Sequence, residues 1–165
     1  MRAAAIACAA VLALSACSRD GDDDEEASPD DGESVCPVDP GLVTDLLGYA
    51  VVIDTKTATS SSCRFLPSDA DAHPGAHVIV AERELAAEGY VAALASVEAA
   101  TGPAELLPEG SVGGIDRGWV ARLGRVVQVG AAHDRRLVQV TVADAALDVE
   151  GAEEVAIELA REAID

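Results

Sequence analysis

The chain has 165 residues, half of them hydrophobic but only four aromatic, and its 30 acidic against 11 basic side chains leave a net charge of -19. Polyanions draw their binding free energy from Lys and Arg displacing counterions, so no nucleic acid partner is expected and anionic lipid is disfavoured. With so few rings the core must be built from Val, Leu, Ile and Ala, and the length suits one domain.

From the N-terminus, Arg2 precedes twelve apolar residues, Ala3 to Leu14. A bilayer needs about 20, so this run reads as a processing segment and not a span. Leu14-Ser15-Ala16-Cys17 resembles the lipobox at which bacteria lipidate a cysteine and cleave before it. That resemblance implies a signal peptide over 1–16 and a diacylglycerol, often with a third acyl chain, on Cys17. Each buried methylene contributes about 0.8 kcal/mol, so two or three chains hold the protein to its membrane. The expected location is the extracytoplasmic face of the cell membrane. An ordinary secretory leader would instead leave Cys17 a lone exposed thiol, a liability outside the cell.

Ser18 to Val35 carries nine carboxylates, Arg19 and no apolar cluster. Nothing there offsets the entropy of ordering the backbone, so residues 17–35 read as a lipidated cysteine followed by a disordered acidic tether. Fully extended, the tether reaches about 60 Å. Asp20 to Glu26 lacks the alternating ligands and turn glycine of a calcium loop.

Residues 36–165 read as the globular domain. Cys36 and Cys63 are its two cysteines. An oxidising compartment would join them, and closing a loop of that length constrains the unfolded chain by roughly 3 to 4 kcal/mol. The long spacing lacks the Cys-x-x-Cys proximity of a redox centre.

Asp39-Pro40 starts a helix whose apolar face is Leu42, Val43, Leu46 and Leu47, and Gly48 ends it. Tyr49 to Lys56 and Cys63 to Leu66 read as strands around a polar turn. Asp69 to Gly75 reads as a loop, His77 to Ala81 as a strand, and Glu82 to Thr101 as a helix stopped by Gly102-Pro103. Pro108 to Gly118 reads as a Gly-rich loop. Trp119–Leu123, Val126–Ala132 and Leu137–Ala143 then read as an antiparallel meander, which needs a cover. Glu150 to Ile164 supplies it, with Ala152, Val155, Ala156, Leu159 and Ala163 at helical spacing and Glu158 placed to pair with Arg161. The expected fold class is α+β, a single antiparallel sheet with helices packed on it.

Cys36 before a helix ending at Leu47-Gly48, the strand Ser62-Cys63-Arg64-Phe65, a turn at Gly113-Gly114, a hairpin and a C-terminal helix together resemble actinobacterial envelope lipoproteins with a paired-cysteine α+β domain. One lysine against ten arginines agrees with GC-rich coding. The resemblance implies the envelope location and the bridge, and transfers no catalytic residue.

For chemistry, neither G-x-S-x-G nor Ser-x-x-Lys occurs, and Pro74-Gly75 keeps His73 and His77 off one helix face. With Asp69, Asp71 and His133 those histidines could still gather round a metal. Gly110 to Gly118 has no lysine and precedes a strand, unlike a phosphate-cradling loop. Arg117, Arg122, Arg125, Arg135 and Arg136 place five of the domain's nine basic charges within twenty residues. Turn and edge arginines commonly just protect a sheet; the alternative is a partner surface with Trp119 as an anchor. The expectation is a non-catalytic binding or interaction module, with no catalytic residues, metal or cofactor, whose partner is an envelope protein. The alternative is a carrier for a small apolar ligand in a pocket between sheet and helices.

Overall fold

A computed structural model describes residues 36–86 and 88–164. The signal peptide, Cys17 and the acidic tether lie outside them. The domain is α+β, with three helices on a seven-stranded antiparallel sheet. In chain order the elements are α1 (Pro40–Leu47), β1 (Val51–Ile53), β2 (Ser62–Pro67), β3 (His77–Glu84), α2 (Gly89–Thr101), β4 (Glu105–Leu107), β5 (Arg117–Leu123), β6 (Val126–His133), β7 (Arg136–Ala143) and α3 (Val149–Ile164). No helix among the described residues is long and apolar enough to cross a membrane.

The strand order β1-β2-β3-β7-β6-β5-β4 is two meanders joined at their last strands, β3 against β7. Helix α2 leaves β3 at the middle of the sheet and must deliver the chain to β4 at the far edge. It therefore crosses one face over the β7-β6-β5 half, where Ala93 and Val97 meet Leu137, Ala132, Trp119 and Ala121. Among the described residues, the same face over β1, β2 and β3 receives no helix. Helix α3 follows β7 and packs on the opposite face, burying Val155, Ala156, Leu159, Ala160 and Ala163 against the valines of β3, β6 and β7. α1 lies beside it and buries Val43.

Local signals explain the helix ends. The Asp39 carboxylate accepts from the Gly41 amide at 2.7 Å, Pro40 presets the first turn, and Gly48 closes α1 at φ 74°. Asp148 accepts from the Gly151 amide at 2.8 Å at the head of α3. The Glu158–Arg161 pair forms one turn along it.

Three expectations needed correction. The strand expected from Tyr49 to Lys56 is confined to Val51–Ile53, because the chain turns after it, with the Thr57 amide donating to the Asp54 carbonyl at 3.0 Å. The helix from Glu82 starts only at Gly89, because Glu82, Arg83 and Glu84 extend β3 and pair with Val138, Leu137 and Arg136. Glu105–Leu107 is a strand where none was expected, paired with Gly118–Val120.

Candidate binding surface

Cys36 and Cys63 form a disulfide with Cα atoms 5.5 Å apart. It pins the segment before α1 to β2, and Cys63 is buried beside Phe65 and Val80 in the core under α3.

The arginines close in sequence are dispersed. Arg122 lies on the α3 face between Glu105 at 3.0 Å and Glu153 at 2.5 Å. Arg136 donates to Glu82 at 2.8 Å and to the carbonyls of Ala163 and Ile164 at the end of α3, where a cation complements the helix dipole. Arg135 pairs with Glu84 at the β6-β7 turn, and Arg125 donates to the Ala145 carbonyl. Arg117 points to the other face, its guanidinium 5.7 Å from the Tyr90 ring centroid. Trp119 is 0 % exposed, packed beneath α2, so it presents nothing to a partner.

The histidines do not converge. The His73 ring stacks on Tyr49 with centroids 3.8 Å apart, and His77 Nδ1 lies 3.1 Å from the Gly75 carbonyl. His133 stands between Asp116 and Asp134, each carboxylate 3.7 Å from a different ring nitrogen. One ligand atom from each of Asp116, His133 and Asp134 lies within 4.8 Å of the other two, close enough for a single ion to touch all three. A concavity of about 260 Å³ opens beside this group, lined by Leu85, Tyr90, Arg117 and the two aspartates among others. Burial pushes the Tyr90 hydroxyl above its usual range, against the opposing charge of Arg117.

A second polar cluster closes the α1 end of the domain. The Tyr49 hydroxyl donates at 2.7 Å to Asp144, the buried carboxylate that also accepts from the Ala146 amide at 2.8 Å. Burial and Asp144 hold the Tyr49 proton far more tightly than usual. The cluster ties the turn after α1 to the turn after β7, a structural role. Between α1 and α3 runs a groove of about 530 Å³ with Leu42, Leu46, Leu147 and Val155 in its walls and Glu154 and Glu158 among its lining.

The most distinctive surface is the helix-free part of the sheet. The registers place Arg64, Ile79, Thr141 and Gln128 in one row across it, with Ser62, Ala81 and Gln139 in the next. Every strand carboxylate, Glu82, Glu84 and Glu105, belongs to the opposite face, and the strand positions of the α2 face hold none. Among the described residues neither Arg64 nor Arg83 has a carboxylate within ion-pair distance, and Arg64 Nε is sealed from solvent without an acceptor. Val52, 49 % exposed, lies on this part, while Leu123 and Val126, 55 % and 36 % exposed, lie on the same side of the sheet at the β5-β6 turn. Sequence reasoning passed over Arg64 and Arg83 because they are isolated in the chain; only the β2-β3 register brings them to one face.

Comparison with protein-family models, with curated proteins and with solved structures found no match.

Proposed function

We propose that this is a lipid-anchored envelope protein whose α+β domain is a non-catalytic binding module, held on the extracytoplasmic face of the cell membrane through Cys17. The anchor rests on the lipobox-like Leu14-Ser15-Ala16-Cys17, and the Cys36–Cys63 bridge accords with an oxidising compartment. The binding role rests on one observation above all. A strongly acidic domain keeps the strand positions of a broad sheet surface, helix-free among the described residues, clear of carboxylates, and carries exposed Arg83, half-buried Arg64 and exposed Val52 on it. Exposed apolar groups gathered on one face mark interaction sites. A second reading, a carrier of a small apolar ligand, is favoured by the leucine-lined α1–α3 groove.

The anchor is tested by feeding producing cells a clickable fatty acid and comparing the chain with Cys17→Ser. We expect label on the native chain and none on the variant, which leaves the membrane fraction; a variant that stays equally labelled overturns the anchor. Native mass spectrometry of the chain purified in mild detergent separates the two binding readings, since a co-purified lipid lost on denaturation favours the carrier.

A further inference from the structure

We infer that the helix-free half of the sheet is the docking site for an acidic amphipathic helix of a partner protein. This rests on the binding-module reading and specifies its partner. Antiparallel sheets often leave one face to water, so openness alone says little. The charge says more. From Cys36 onward acidic residues outnumber basic ones 21 to nine, yet no strand position on this face holds a carboxylate, and among the described residues two arginines there have no ion-pair partner. A solvated face of so acidic a protein would carry its share of Asp and Glu. Leaving them out removes repulsion toward a partner that brings its own.

The shape selects the kind of partner. A helix with its side chains is about 10–12 Å thick, and α2 stands that high above the sheet beside the open strands. A planar membrane resting on α2 cannot descend to Arg64 on the sheet floor. A single helix laid beside α2 reaches the floor and completes the layer that α2 leaves half built. A saccharide would want a broad Trp, Tyr or Phe ring to stack on, and among the described residues none stands free here: Tyr49 is stacked on His73, Phe65 faces the α3 core, and Tyr90 and Trp119 belong to α2's contacts. The floor itself is mixed. Ile79, Leu66 and Ala81 are half-buried and meet an apolar stripe, while Arg64 and Arg83 meet carboxylates along its flank.

The test is an amide NMR titration of the full chain in nonionic detergent with a synthetic helical peptide of Leu, Ala and Glu, about 18 residues or five turns long. Shifts are expected at Ser62–Leu66, His77–Arg83 and Gln139–Ala143, and the same peptide with Lys for Glu should produce none there. Arg64→Glu with Arg83→Glu should weaken binding about tenfold, equivalent to 1.4 kcal/mol. Should that variant misfold, raising salt to 1 M, where the Debye length is about 3 Å, should weaken the native chain's binding in the same direction. The proposal is overturned by no shifts, by shifts centred on the α1–α3 groove, by equal binding of the Lys peptide, or by anionic phosphatidylglycerol vesicles perturbing these amides where the peptide does not. The titration does not involve Cys17, so its failure leaves the anchor untouched, and loss of the anchor leaves this surface to be judged on its own.

Discussion

The two faces of the sheet solve the same burial problem in different ways. Under α3 the valines of β3, β6 and β7 form a continuous dry layer of branched side chains, met by alanines and Leu159 from the helix. Under α2 the layer depends on one large ring, Trp119, lying against Gly130, and it stops where α2 stops. The first face spreads its stabilisation over many small contacts and the second concentrates it. The uncovered part of the α2 side can therefore change its side chains without disturbing the core on the other side.

Breaking the α3 face should have the largest effect. Leu159 is 0 % exposed at the centre of the helix contact, and Leu159→Ala should lower the unfolding free energy by about 2–5 kcal/mol, as lost transfer plus an unfilled cavity. Chemical denaturation of the oxidised protein measures it. The low end would mean that the alanine-rich helix can settle onto the valines; the high end, that the bridge and the flanking strands hold it off.

The α2 face should break by overfilling. A Cβ on Gly130 would lie 2.2 Å from the Trp119 ring, closer than any real contact, and Gly130's backbone is not in the left-handed region. Space alone forbids a side chain there. Gly130→Ala should cost about 1–3 kcal/mol and shift Trp119 fluorescence, because the ring must move. An unchanged spectrum with an unchanged midpoint would show that the ring does not lie on Gly130.

How far the sequence discloses this architecture depends on which forces act locally. α1 and α3 are legible from Asp39-Pro40, Gly48 and the apolar spacing from Ala152 to Ala163, all features within a few residues of the element they define. The start of α2 is not. Glu82-Arg83-Glu84-Leu85 suits a helix or a strand equally, and the decision falls to an eight-residue ladder with β7, more than fifty residues away. β4 is too short to show a period, and exists because β5 offers it an edge. The same distinction governs the surface. Arg122, Arg125, Arg135 and Arg136 cluster in sequence and scatter in space, each engaged by an acid or a carbonyl, while Arg64 and Arg83, each with no other Lys or Arg near it in the chain, share a face. Register, set by the whole sheet, decides which way each points.

The smallest of these effects lies at the α1 end, outside both helix-covered layers, and it carries a pH signature. Tyr49 donates to Asp144, and removing that hydroxyl with Tyr49→Phe should cost about 1.5 kcal/mol, the low end for a hydrogen bond to a charged group since Tyr49 is only half-buried. The folded chain holds the Tyr49 proton above the 10.0 of an unperturbed tyrosine, by burial first and then by the hydrogen bond and charge of Asp144. A raised folded-state value means that the contribution is fully present below pH 10.0 and is lost as pH climbs past it, since the unfolded chain ionises first. Denaturation midpoints of the native chain should therefore fall across that alkaline range, and those of Tyr49→Phe, which has no proton to lose there, should fall less. Parallel curves would remove Tyr49 as the alkaline sensor and leave Asp144 held by the Ala146 amide alone, separating the stability of this corner from that of the sheet's two faces.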